Sequence, residues 1–120
     1  MRKVLEDLIF VGTLKETYKL YQRDWTLRTL SSDEQLQAAS TTREYDNLSR
    51  VYALKIATLS RSIVEVNNVE LNDVSEKIEL LGKMQQPIVD LLYEKYTDLQ
   101  KKQDEALKDL NQGGDEIKNS

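Results

Sequence analysis

Residues 41–63 carry the clearest helical pattern in the chain, and the remaining segments must bury the apolar face of that helix. Their sequence is TTREYDNLSRVYALKIATLSRSI. Apolar side chains recur there at spacings of three and four, the period of one helical face: Tyr45, Leu48, Tyr52, Ile56, Leu59 and Ile63. Thr41 and Glu44 have the spacing of a capping box. We therefore predict a main helix over this range, buried along that face.

Residues 1–30 alternate as β-strands do. From residue 14 onward, one side carries Leu14, Tyr18 and Leu20, and the other carries lysines and threonines. Trp25 and Leu27 repeat the pattern in a second strand, after a short connection at residues 22–24. Residues 8–11 either extend the first strand or pair as a third. The sequence predicts an antiparallel hairpin, which must pack against helices or another subunit to be stable.

Two further capping positions predict short helices on either side of the main helix. Ser31 and Glu34 form a second capping-box pattern before a short helix through Ala39. The hydroxyls of residues 40–42 favour a break after it, although one continuous helix from residue 32 remains an alternative. Asp73 can cap a helix over residues 74–84, with Ile78 and Leu81 inward.

Residues 63–71 alternate around a central Asn67-Asn68 pair. Asparagine tolerates the left-handed backbone that tight hairpin turns need. This segment is therefore either a small hairpin or a loop.

Residues 87–112 predict a long C-terminal helix with a narrow, heptad-like apolar face. That face carries Val89, Leu92, Tyr96, Leu99, Gln103, Ala106 and Leu110. Beyond Tyr96 it is surrounded by charge, as in an exposed helix or a short coiled coil. Gly113-Gly114 predicts the helix end, followed by a flexible tail at 113–120.

Together these segments predict an α+β fold, in which an N-terminal antiparallel hairpin packs on a small helical bundle with a long C-terminal helix. We expect one domain over 1–112, divided into a hairpin region at 1–30, a helical core at 31–86 and a protruding helix at 87–112. The predicted core is Leu14, Tyr18, Leu20, Trp25, Leu27, Leu48, Tyr52, Ile56, Leu59, Ile78, Leu81 and Leu92.

The composition argues against catalysis and against nucleic-acid binding. The chain has no histidine and no cysteine, so the commonest general base and metal ligands are missing. The acidic pairs, such as Asp33/Glu34 and Glu70/Asp73, match helix caps better than a cation site. The net charge is −4, which disfavours nucleic acid. We therefore predict no enzyme activity, no cofactor, no metal and no membrane span.

The outer turns of the C-terminal helix and the hairpin edge are the predicted partner-binding surfaces. A long helix with a narrow apolar face commonly pairs with another chain, although the same face could pack on the main helix of its own chain. The predicted partner-binding residues are Tyr21, Trp25, Tyr96, Leu99, Gln103, Leu107 and Leu110.

The order of segments over residues 25–71 also resembles small structural and assembly proteins of tailed bacteriophages. The strand DWTLRTL leads into SSDE at a helix start, and ATLSRSIVEVNNVEL follows. The resemblance is to tail assembly chaperones and small baseplate-hub proteins. It implies binding to other phage structural proteins of the tail, hub or tape-measure type, with possible homo-oligomers.

Three alternatives to a built-in tail or baseplate component stay open. They are a tail assembly chaperone absent from the mature particle, a neck or capsid-associated protein, and a cellular helical adaptor. The phage reading places the chain in the host cytoplasm during assembly, and in the virion if it is built in.

Overall fold

The computed structural model describes residues 11–119, and the side chains of residues 11–111. Its elements in chain order are β1 (Lys15–Leu20), β2 (Arg23–Arg28), α1 (Ser32–Ser40), α2 (Asn47–Ser62), β3 (Ile63–Val66), β4 (Val69–Glu70), α3 (Val74–Lys83) and α4 (Gln86–Asn119). The strands form one antiparallel sheet in the order β1-β2-β3-β4. The predicted α+β class, with its N-terminal hairpin and long C-terminal helix, is confirmed.

A two-residue turn at Tyr21 and Gln22 joins β1 to β2. Both residues have positive φ, 53° and 61°, as a type I′ turn requires. Tyr18 lies opposite Trp25, whose indole Nε1 donates to Leu20 O at 3.0 Å. The predicted connection at residues 22–24 is therefore wrong, because this pairing already places Arg23 and Asp24 in the second strand. Residues 1–10, including most of the 8–11 segment, lie outside the described residues.

The junction between α1 and α2 differs from the prediction for the main helix. Ser31 caps α1 with a complete capping box, which confirms that expectation. The break after it is also confirmed, since the hydroxyls of residues 40–42 donate to carbonyl oxygens of the preceding turn. However, α2 begins at Asn47 with Asp46 as its cap. The predicted start at Thr41, and the alternative of one continuous helix, are both wrong.

The second half of the chain follows the predicted order. Asn67 and Asn68 form the β3–β4 turn with φ of 52° and 66°, and Asp73 caps α3. The long helix α4 continues through Asn119, past the Gly113-Gly114 pair where the sequence predicted its end. Flexibility of residues 113–120 stays a prediction.

The core lies between one face of the sheet and helices α2, α3 and α4. Its buried apolar residues are Trp25, Leu27, Leu30, Leu59, Ile63, Leu81, Val89, Leu92, Tyr96 and Leu99. Leu14, Tyr18, Leu20 and Ile56 are partly buried and pack against this cluster. Leu48, Tyr52 and Ile78 are exposed. Their predicted place in the core is therefore wrong.

Candidate interaction surface

Helix α2 is buried in its second half and exposed in its first. Residues 57–60 are all buried, whereas Leu48 is 68% exposed and Val51 is 51% exposed. Small side chains at Ala57 and Ser60 let neighbouring elements approach the second half closely. The first half carries larger apolar side chains, and they face solvent.

The position of α4 explains where burial along α2 stops. Lys55 Nζ donates to Asp90 Oδ1 at 2.9 Å, and this aspartate lies just one turn inside the start of α4 at Gln86. Further along α2, Thr58 lines a shared cleft with Tyr93 and Tyr96. Residues further along α2 thus lie beside residues further along α4. The first turn of α2 therefore extends beyond the level at which α4 begins.

Four exposed apolar residues form a surface that we call the α2 stripe: Tyr45, Leu48, Val51 and Tyr52. The ammonium of Lys55 borders the stripe and lies 5.7 Å from the ring centres of both Tyr52 and Tyr93, a cation–π distance. A cleft of about 270 Å³ adjoins it, lined by Thr41, Tyr45, Ala53, Ile56, Ala57, Ile78 and Gly82. The stripe and the cleft together form a mostly apolar surface.

The predicted partner-binding residues do not come together on one surface. Trp25, Tyr96 and Leu99 are buried in the core of the chain. Burial also raises the pKa of Tyr96 to about 12. Tyr21 and Leu110 are exposed, the first at the β1–β2 turn and the second on the outer part of α4. Three of the seven residues are thus unavailable to a partner in the folded chain.

Gln103 and Leu107 contact the N-terminal part of the described chain. Gln103 Nε2 donates to Gly12 O at 3.0 Å. Gly12 has φ of 83°, and a Cβ built on it would lie 2.8 Å from Leu107 Cδ2. A side chain at position 12 would therefore be strained by the positive φ and would displace the end of the Leu107 side chain, so these two α4 residues serve this contact within the chain.

The acidic side chains near the sheet act as structural partners. Glu34 accepts from the Arg28 guanidinium through both carboxylate oxygens and also from the Ser31 amide. The Arg28 guanidinium lowers the pKa of Glu34 to about 2. Glu16 accepts from Lys102 Nζ at 2.9 Å, and this lysine, more than any other group, lowers the pKa of the carboxyl.

Within residues 11–111, no cluster of three or more His, Cys, Asp or Glu side chains is placed to hold a metal. None of the described helices has the length and apolar character needed to cross a membrane. Comparison with protein-family models, curated proteins and solved structures finds no match. The candidate site therefore rests on the geometry of the chain itself.

Sequence reasoning missed the α2 stripe because it assigned one continuous apolar face to the core. The available signal was the change from large apolar residues at 45–52 to the small residues that surround Leu59, namely Ala57, Thr58, Ser60 and Ser62. The small residues mark the half that other elements approach closely, whereas the large residues of the first half stay exposed.

Proposed function

We propose that this chain is a non-enzymatic protein–protein interaction component of a tailed-phage virion, most closely a structural or assembly protein of the tail or baseplate. The α2 stripe is the observation that carries the interaction role. Contiguous exposed apolar surface marks protein contact sites. The phage assignment rests on the resemblance of residues 25–71 to small tail proteins.

The apolar character of the stripe supports a second copy of the chain as one of its partners. A two-fold axis passing near Leu48 would bring that residue against its own copy, as symmetric dimers do. Leu48, Val51 and Tyr52 share one face of α2, so an antiparallel pair of these helices would bring their apolar side chains together. Asp46 and Arg50 lie two residues from Leu48 and belong to the opposite face. Apolar contact, and not pairing of charges, would therefore join the two copies.

Photo-crosslinking in the cells that produce the chain tests the role. A benzophenone amino acid replaces Leu48 in one variant and Leu36 in a matched control. Both leucines are 68% exposed, but Leu36 lies on α1, outside the stripe. We expect a discrete adduct from position 48, either with a second copy or with a phage structural protein, and none from position 36. Equal adducts from both positions, or none from position 48, would contradict the proposal.

Analysis of purified particles separates the alternatives. A built-in component is present at a fixed, symmetric copy number, whereas a tail assembly chaperone is absent from finished particles. A neck or capsid-associated protein would remain with tail-less heads. Crosslinking at position 48 to cellular proteins alone would favour the cellular adaptor.

A further inference from the structure

Strand β1 forms one edge of the described sheet, and its register shows which backbone groups face outward. Leu20 and Arg23 flank the two-residue turn, and in a type I′ hairpin the flanking pair exchanges both hydrogen bonds. The pattern repeats at every second residue. Thr29 N donates to Leu14 O at 2.9 Å, so the same alternation of hydrogen-bonded pairs continues to the far end of the hairpin.

The residues between those pairs turn their backbone groups away from β2. They are Lys15, Thr17 and Lys19, and across residues 11–119 their outward N–H and C=O groups have no backbone partner. Such a row is a template for the addition of another strand. A partner segment in extended conformation could therefore pair with it by main-chain hydrogen bonds.

The side chains along this edge select the charge of the partner. All three are exposed, and two of them are lysines on the same face of the sheet. Across the β1–β2 pair, Lys15 lies opposite Arg28, which is itself paired with Glu34, and Lys19 lies opposite Asp24. Carboxylates on an added strand beside the two lysines would bring opposite charges together across the outer edge.

A second copy of this chain fits the edge poorly. Antiparallel pairing of two β1 edges about Thr17 would set Lys15 of one copy opposite Lys19 of the other. Two lysine–lysine pairs would then face each other, an arrangement that proteins use to prevent edge-to-edge association. The occupant must therefore be a different segment with acidic side chains.

We propose that the β1 edge binds an extended acidic segment of a partner protein by strand addition. The inference rests on the proposed function, because it supplies the chemistry of a partner for an interaction protein. It concerns a surface separate from the α2 stripe. Pairing of the backbone provides the attachment, and Lys15 and Lys19 select glutamate or aspartate at alternate positions.

Fluorescence anisotropy with a short labelled peptide tests the proposal on the full chain. Glutamate alternates with valine in the probe, and glutamine replaces glutamate in a neutral control peptide. We expect the acidic peptide to bind at least about tenfold more tightly than the neutral one, and to weaken as salt rises. Equal affinities for the two peptides would overturn the proposal.

Charge-reversal variants locate the site. Lys15→Glu combined with Lys19→Glu should abolish binding of the acidic peptide. Lys101→Glu combined with Lys108→Glu makes the same charge change on exposed positions of α4 and should weaken binding far less. Equal losses in the two double variants would mean that only net charge matters, and would overturn the proposal.

A backbone variant separates strand addition from simple charge attraction. Lys19→Pro removes an outward amide without removing a hydrogen bond to β2, whereas Lys19→Gln removes the same charge and keeps the amide. Proline should weaken peptide binding more than glutamine does. Equal binding by the two variants would contradict pairing through the backbone.

Hydrogen exchange at single amides gives the direct readout. The amides of Lys15, Thr17 and Lys19 should exchange rapidly in the free protein and slowly with bound peptide. Slow exchange in the free protein would mean that the edge is already occupied, and would overturn the proposal. Leu48→Glu combined with Val51→Glu changes the α2 stripe and should leave peptide binding intact. Loss of association through the stripe can therefore be told apart from loss of peptide binding at the β1 edge.

Discussion

The ammonium of Lys55 lies 2.9 Å from Asp90 Oδ1, at the level where contact between α2 and α4 begins. Residues after Lys55 on α2 enter the core, and most of those before it face solvent. One helix thus contributes its second half to the core and leaves most of its first half exposed. The stability of the domain should depend on the second half alone.

Alanine substitutions along α2 should show this division. Leu59→Ala removes a fully buried side chain and should lower the free energy of unfolding by about 2–5 kcal/mol. Leu48→Ala should lower it by less than about 0.5 kcal/mol, as exposed positions do. Urea denaturation measures both. Comparable losses would place Leu48 in the core and remove the α2 stripe as a free surface.

The ion pair between Arg28 and Glu34 should make the free energy of unfolding depend on pH. The pKa of Glu34 is about 2 in the folded chain, below roughly 4.3 for an unfolded glutamate. Its contribution is therefore complete above about pH 5 and disappears as the pH falls to about 2. Both groups are partly exposed, so we expect Glu34→Gln to cost about 1–2 kcal/mol at pH 7.

Urea denaturation between pH 7 and pH 2 checks this, with Asp33→Asn as a matched change of charge on the same helical turn. The wild type should lose its advantage over Glu34→Gln as the pH falls. Asp33→Asn should stay close to the wild type at pH 7. A difference in the free energy of unfolding between the wild type and Glu34→Gln that stays constant with pH would show that the ion pair does not stabilise the fold.

Lys77 joins α3 to the sheet through backbone carbonyls. Its Nζ donates to Ile63 O at 2.8 Å and to Leu71 O at 3.0 Å, and the residue is buried. Burial lowers its pKa. Lys77→Met should cost about 1–3 kcal/mol because it leaves both carbonyl oxygens without this donor.

The control for that variant is Lys83→Met, on the same helix. Lys83 is exposed and pairs with Glu79 at 3.1 Å on the helix surface, so its loss should cost less than about 0.5 kcal/mol. Thermal unfolding of both variants gives the comparison. Equal melting temperatures would mean that the buried lysine adds nothing to the attachment of α3.

Truncation of α4 should separate its packed part from its outer part. Deletion of residues 97–120 removes Leu99, which is fully buried, and should unfold the domain. Deletion of residues 109–120 keeps Leu107 and Gln103 at Gly12 and should leave the fold intact by circular dichroism and urea denaturation. A folded product of the first deletion, or an unfolded product of the second, would contradict the assigned core.

Most of the secondary structure could be predicted from the sequence because it depends on local chemistry. The capping residues Ser31 and Asp73 and the Asn67-Asn68 turn specify their elements through bonds to nearby backbone groups. The start of α2 was not predictable in the same way. Thr41 and Asp46 can both cap a helix, and the threonine hydroxyl is instead bonded to Ala38 O at 2.8 Å.

Which apolar face is covered depends on tertiary structure and could not be predicted from periodicity. Leu48 and Leu59 belong to the same helical pattern, yet only the second lies among neighbouring elements. Conversely, Tyr96 and Leu99 have the spacing of an exposed heptad face, but in the fold they are buried in the core that the sheet and the helices share. Glu16 interrupts an apolar strand face in the sequence, and the contact with Lys102, far along the chain, accounts for it.

Light scattering across a concentration series tests the central claim, that the α2 stripe is an association surface. The mass of one chain is 13.9 kDa. We expect the wild type and Leu36→Glu to rise above that mass with concentration, and Leu48→Glu combined with Val51→Glu to remain at it. A double variant that assembles as the wild type does would contradict the claim, and a wild type that stays at 13.9 kDa throughout would contradict self-association through the stripe.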